Sequence, residues 1–234
     1  MPDTNERLRL LCLPYAGGST RNYLRWQPHL GGRAEIVPLN LPGRGRRSRE
    51  EPPASLAEAA ERLVRDLAPG PAPYALFGHS MGALVAYEMA RLICRQGIRQ
   101  PEFVVVAACR PPHLVSAPVF ARAGELDDQT LLDELAGTGH VPSTLRDSPM
   151  RAMFVPALRA DLALLAGYTA PAAPEPLPVH LAVWSGTADP LAPPAEASGW
   201  SRYSSGRTRF RLFDGAHFFV QDSWAELAAA LPLT

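Results

Sequence analysis

The sequence predicts an α/β fold, a mostly parallel central sheet flanked by helices, with a helical segment inserted late in the chain. Three observations carry this. Short apolar runs alternate with amphipathic stretches along the 234 residues, the pattern of strands and helices that builds parallel sheets. Several runs, such as Tyr74-Ala75-Leu76-Phe77 and Phe103-Val104-Val105-Val106-Ala107-Ala108, are apolar throughout rather than at every second position, as strands covered on both faces are. Between the first of these runs and a helical pattern stands Gly78-His79-Ser80-Met81-Gly82. In that setting a G-x-S-x-G forms a sharp strand-to-helix turn that exposes the serine hydroxyl.

Taken in order, Leu8 to Leu13 reads as the first strand, running into the turn Pro14-Tyr15-Ala16-Gly17-Gly18-Ser19. A helix is expected from Thr20 to Leu30, a strand from Ala34 to Asn40, and a loop at Leu41-Pro42-Gly43-Arg44-Gly45. Ser55 with Glu58 three residues on has capping-box spacing and starts a helix to Leu67. After the strand at Tyr74, Ala83 to Arg95 carries Leu84, Val85, Met89, Leu92 and Ile93 at helical spacing. Strands follow at Phe103 to Ala108, Leu177 to Trp184 and Thr208 to Phe213, with helices near Pro194 to Tyr203 and Ser223 to Leu231. The gap between Ala108 and Leu177 is too long for one crossover helix. Leu126, Leu131, Leu132 and Leu135 mark one helix there; Met150, Met153, Phe154, Leu158, Leu162 and Leu165 mark another, interrupted or kinked at Pro156. Such an insertion lies over the strand ends where ligands bind and reads as a lid. The expected organisation is one domain over 1–234, with a core at about 1–110 and 176–234 and a helical lid at about 111–175.

Composition narrows the chemistry. All 23 basic residues are Arg, which excludes lysine Schiff-base chemistry and a lysine-containing phosphate loop. The zero net charge argues against nucleic acid, and no apolar run reaches the ~18 residues of a membrane span. Cys12, Cys94 and Cys109 are odd in number and lack metal-ligand spacing, so no metal and a reducing, cytoplasmic setting are expected. The polar stretch Met1 to Arg9 lacks the apolar core of a signal peptide.

A serine hydroxyl needs a base to take its proton and a carboxylate to orient that base. On this fold they follow the serine in the order acid, then histidine. Of His113, His140, His180 and His217, only His217 directly follows a late strand, in Asp214-Gly215-Ala216-His217-Phe218-Phe219. His180 falls within a strand and reads as structural; His113 and His140 fall in the lid. For the acid, Ser185-Gly186-Thr187-Ala188-Asp189 presents Asp189 at a strand's C-terminal end. Asp161, read as a solvated helix pair with Arg159, and Asp214, a cap of its own turn, are the alternatives. Gly78 and Gly82 are required because side chains there would strike the neighbouring strand and helix. Oxyanion donors are expected from the N–H of Met81, at the helix start, and of Ala16, with Tyr15 next, in the glycine turn after the first strand. His79 packs or hydrogen-bonds locally. Arg44, Arg46, Arg47 and Arg49 form a basic run, either a solvated loop or a contact for an acidic partner or phosphate.

Together Leu11-Cys12-Leu13-Pro14-Tyr15-Ala16-Gly17-Gly18-Ser19, Leu41-Pro42-Gly43-Arg44-Gly45, Phe77-Gly78-His79-Ser80-Met81-Gly82-Ala83, Leu158-Arg159-Ala160-Asp161-Leu162 with Tyr168, and Asp214-Gly215-Ala216-His217-Phe218-Phe219 resemble the type II (editing) thioesterases of polyketide and non-ribosomal peptide synthases. The resemblance implies an α/β-hydrolase fold with a mobile helical lid and no cofactor. It also implies hydrolysis of acyl groups from the phosphopantetheine arm of acyl carrier proteins, clearing stalled or aberrant units. The triad carries over as Ser80, Asp189 and His217, with Met81 and Ala16 as oxyanion donors; the acid loop departs slightly from the commoner glycine-aspartate-rich form. Tyr15, Met150, Met153 and Phe154 are candidate substrate-lining residues, and a monomer is expected. Two other readings remain open: an acyltransferase or small-molecule esterase on the same triad, and a non-catalytic module that binds carrier proteins.

Overall fold

The computed structural model describes residues 7–67, 72–116, 118–142, 145, 148–149, 151–173, 175–221 and 223–233. Six strands, β1 (Leu8–Leu13), β2 (Ala34–Pro38), β3 (Tyr74–His79), β4 (Phe103–Ala107), β5 (His180–Gly186) and β6 (Thr208–Phe213), form one sheet in the order β2-β1-β3-β4-β5-β6. Every pairing is parallel, with Cys12 opposite Phe77 and Phe77 opposite Val105 in the centre. All strand C-termini therefore meet at one edge. The chain leaves β1 to one side for β2 and returns to the other side for β3, so the crevice between β1 and β3 is the switch point at which such sheets bind ligands.

Alternation within the strands sorts their side chains into two apolar layers. Leu11, Leu13, Leu76, Val104, Val106, Leu181 and Val183 pack beneath helices α1 (Leu56–Asp66) and α2 (Met81–Arg95). Leu10, Cys12, Ala75, Phe77, Val105 and Trp184 pack against Tyr23, Trp26 and Leu30 and the terminal helix α6 (Trp224–Ala230). The segment between β4 and β5 holds α3 (Pro118–Arg122), α4 (Asp128–Gly137) and α5 (Arg151–Ala166). Leu131, Leu132, Leu135, Val155, Leu158 and Leu162 join the α1–α2 layer, so the insertion shares the main core.

The structure differs from the sequence expectation at four elements. Thr20–Leu30 is a 3₁₀ helix rather than an α-helix, with Pro28, which cannot donate a helical hydrogen bond, inside it. The stretch 194–203 is also 3₁₀. β5 begins at His180 instead of Leu177: Pro178 has no N–H for a ladder, and Leu177 makes only an isolated bridge to Ser204. Pro156 does not divide α5, which continues through it. Ser55 caps α1 as expected: its Oγ accepts the Glu58 N–H at 3.1 Å, while Glu58 Oε2 reaches back past the cap to the Ala54 N–H at 2.7 Å.

Candidate active site

β3 delivers Ser80 to the sheet's C-terminal edge in a conformation that few residues with a side chain adopt, φ 55° and ψ −119°. The turn holds because the Ser80 N–H donates to the Ala107 carbonyl at 2.8 Å and because α2 crosses close over β1 and β3. A Cβ on Gly82 would collide with the carbonyls of Leu13 and Pro14, and one on Gly78 with the carbonyl of Gly82. Residues held in sparsely populated backbone regions cost of order 1–3 kcal/mol and cluster at functional sites.

The loops after β5 and β6 bring the expected partners to this serine. The Ser80 hydroxyl lies 3.0 Å from His217 Nε2, and the opposite ring nitrogen, Nδ1, lies 2.9 Å and 3.1 Å from Asp189 Oδ2 and Oδ1. With Nδ1–H donating to the carboxylate, Nε2 is left as the acceptor for the serine proton. Asp189 is shielded from solvent, which raises its pKa, yet its carboxyl is held below the usual range. The hydrogen bond and charge of His217 and the N–H groups of Ala192 and Leu191, the latter 3.1 Å and 2.8 Å from Oδ1, outweigh the burial. Asp214 is exposed and takes no part in this relay. His79 is buried under the same loop, and its Nε2–H donates to the His217 carbonyl at 2.9 Å. Burial, followed by the nearness of His217, pushes its imidazole down to about 3, so it is a neutral strut. His180, expected as structural, accepts the Arg207 N–H on Nδ1 at the exposed start of β5.

Across the crevice, the turn after β1 is tied down at two of its amides. Gly18 N–H donates to the Tyr15 carbonyl at 2.8 Å, and Gly17 N–H donates to Asp161 Oδ2 at 2.6 Å. Among the described residues no protein acceptor engages the N–H of Ala16 or of Met81 at the start of α2.

The environment of Asp161 corrects the expectation of a solvated pair with Arg159. Asp161 is 0% exposed and pairs with Arg44, while Arg159 reaches Asp128 and the carbonyls of Ala123 and Leu126. The sequence contained the signal: Asp161 is three residues after Leu158 and four before Leu165, on the apolar stripe of α5, with Arg159 on another face. Of the basic run, Arg44 thus meets an acidic group of its own chain, and Arg47 pairs with Glu50 and Asp66.

A cavity of about 150 Å³ opens beside Ser80 and His217. Met81 and Leu84 of α2 line one side, Pro190 to Ala192 of the acid loop another, and Phe120, His140 and Leu165 of the insertion its roof. Burial pushes the His140 imidazole down to about 4. Of the substrate-lining residues named from sequence, Tyr15, Met153 and Phe154 are not among the residues that line this cavity. Met153 is 72% exposed over a separate groove of about 340 Å³ between Leu41–Arg44 and α5. Phe154 packs on Gly17, and Tyr15 packs edge-on against His79 and Phe218. Met150 lies outside the described residues. Helical spacing placed Met153 and Phe154 on α5, but which side chain of that helix faces the serine depends on how α5 is seated.

A serine elbow, a histidine and a buried aspartate at the C-terminal edge of a parallel sheet define an α/β-hydrolase. A family model described as the thioesterase domain matches residues 8–231, and the chain belongs to that family of hydrolases acting on thioesters. It is 36% identical over 233 residues to thioesterase PikA5 of Streptomyces venezuelae, covering 97% of this chain and 80% of that protein. Among solved structures, the RedJ thioesterase of the prodiginine pathway in Streptomyces coelicolor superposes with a TM-score of 0.83 at 36% identity, covering 97% of this chain and 85% of that one. The type II thioesterase BorB of the borrelidin cluster gives a TM-score of 0.81 at 31% identity, with 98% and 93% covered. No helix among the described residues is long and apolar enough to cross a membrane.

Proposed function

We propose that Ser80, His217 and Asp189 are the catalytic triad of a type II thioesterase. Its substrates are acyl groups on the phosphopantetheine arm of acyl carrier proteins in polyketide or non-ribosomal peptide assembly. The observation that carries the reading is the continuous relay from Ser80 Oγ through His217 to Asp189, 3.0 Å and 2.9 Å long. Ser80 Oγ attacks the thioester carbonyl while His217 Nε2 takes its proton. The oxyanion is held by the N–H groups of Met81 and Ala16, the former aided by the positive end of α2. His217 returns the proton to the departing pantetheine thiol, leaving an acyl-serine. Water, deprotonated by the same nitrogen, then releases the free acid and restores the serine.

The acyl group occupies the cavity beside Ser80, which is small next to the roughly 300–1,000 Å³ of drug-sized sites and favours short chains. Helices α3 to α5 act as the lid of a single domain over 1–234, and the protein works as a cytoplasmic monomer that meets carrier domains transiently. The names of relatives from the prodiginine pathway and the borrelidin cluster support the biosynthetic setting.

The test is hydrolysis of a panel of carrier proteins loaded with acyl groups of increasing length, beside free acyl thioesters and oxygen esters. Short acyl-carrier substrates should be preferred, and Ser80→Ala should lower kcat by about 10⁶-fold. Near-native turnover by that variant would remove the assignment, and a preference for oxygen esters would remove the substrate class.

A further inference from the structure

The lid helix and the oxyanion turn meet at a buried charge. Asp161 Oδ2 accepts the Gly17 N–H at 2.6 Å and the Arg44 guanidinium, whose other terminal nitrogen donates to the Ala157 carbonyl of the preceding turn at 2.6 Å. Asp161 Oδ1 has no hydrogen-bond partner among the described residues. Phe154 and Leu158 close over the same glycine: a Cβ on Gly17 would fall 2.8 Å from the Phe154 ring and 3.1 Å from Leu158 Cβ. Gly17 itself has φ 74°, so the turn is shaped for this approach.

A buried ion pair is a poor means of stabilising a helix contact, because desolvating the charges offsets most of their attraction and apolar residues of similar volume hold as well. A carboxylate supplies what an apolar side chain cannot, a directed acceptor for one amide. With Gly17 committed to Asp161 and Gly18 to Tyr15, the N–H groups of Tyr15, Ala16 and Ser19 are left without a protein acceptor among the described residues, and of these Ala16 adjoins the glycine that Asp161 holds.

We propose that Asp161, held by Arg44, is a positioning residue for thioester hydrolysis: it fixes the Ala16–Gly18 turn so that the Ala16 N–H meets the developing oxyanion. The oxyanion hole is then complete only while α5 is seated, and lifting the lid disassembles it. This rests on the reading of Ala16 given above.

The measurements are kcat and KM on an acyl thioester, the melting temperature, and the affinity of an alkyl boronic acid, whose tetrahedral adduct with Ser80 Oγ samples the oxyanion hole. Asp161→Leu should lower kcat about 100-fold and weaken the boronate by a similar factor, with KM within about twofold, because it loosens one oxyanion donor. Asp161→Asn, which keeps an acceptor for Gly17 and remains informative if the leucine variant does not fold, should lose about tenfold. Arg44→Lys should fall between Asp161→Asn and wild type. Arg159→Met, which cuts the ties of α5 to Asp128, Ala123 and Leu126, should lower the melting temperature and leave kcat and boronate affinity near wild type. Folded Asp161 variants with wild-type kcat, or with losses no larger than those of Arg159→Met, overturn the proposal. Replacing the Tyr15–Ala16 peptide by an ester deletes the Ala16 N–H alone. If the ester leaves kcat intact, the reading of Ala16 has failed; if it lowers kcat and Asp161→Leu does not, only the role of Asp161 has.

Discussion

Ser80, Asp189 and His217 stand on turns at the ends of β3, β5 and β6, whereas Asp161, Phe120, His140 and Leu165 reach the same cleft from the segment inserted between β4 and β5. The first group inherits its positions from the backbone ladder. Five parallel pairings leave the strand ends little freedom, and the Ser80 N–H is itself bonded to Ala107 of the next strand. The second group is held by side chains: Asp161 to Arg44 and Gly17, Arg159 to Asp128, Ala123 and Leu126, and apolar packing onto α2. On the proposed reading, bond breaking falls to the rigid edge and the shape of the cavity beside Ser80 to helices held by side-chain contacts.

Substitutions on the two sides should separate these roles. The largest effect is expected on the sheet side. Asp189→Asn keeps the shape of the acid but removes the charge that fixes the Nδ1–H tautomer of His217, and kcat should fall about 10⁴-fold with little change in melting temperature. A loss under tenfold would show that the relay is not needed.

Acid titration compares a histidine from each region. His79 sits near 3 in the fold, below its ordinary value, so the unfolded chain binds a proton that the folded one refuses. Its contribution is present above pH 6.5 and is lost as pH falls from 6.5 towards 3, costing about 3 kcal/mol by pH 4. His140, lowered to about 4, acts with the same sign. Asp189, a lowered carboxyl, adds its own loss only below its ordinary range. Urea unfolding between pH 7 and pH 4 should therefore show a shallower decline than wild type for both His79→Gln and His140→Gln. A wild-type slope for either variant would show that its histidine is not buried neutral.

A smaller, selective change is expected in the roof. Leu165→Ala should enlarge the cavity and raise kcat/KM for longer relative to shorter acyl groups by about tenfold. An unchanged ratio would mean that the acyl chain runs elsewhere. Least of all should follow from Met153→Ser, which alters an exposed side chain remote from Ser80 and should leave kcat/KM within about twofold. A larger drop would bring the separate groove beside α5 into substrate or carrier recognition.

Much of the sheet side was legible in the sequence because each of its parts is local. Strands apolar on both faces, a serine between two obligatory glycines, and an aspartate and a histidine each just beyond a strand are short-range patterns, and parallel pairing brings them to one edge. The amide turn after β1 was legible for the same reason. The insertion was not. Helical periodicity put Met153, Phe154, Leu158, Asp161 and Leu165 on α5 but left its rotation and seating open, so Met153 was expected inward and lies outside, and Asp161 was paired with its sequence neighbour instead of Arg44, 117 residues away. The amino-acid sequence alone thus determined the fold class, the elbow and the order of the relay, since those follow from periodicity and strand ends. Only the tertiary structure decided which side chains roof the cavity and which carboxylate grips the turn after β1, because a helix's neighbours are chosen by packing between distant segments.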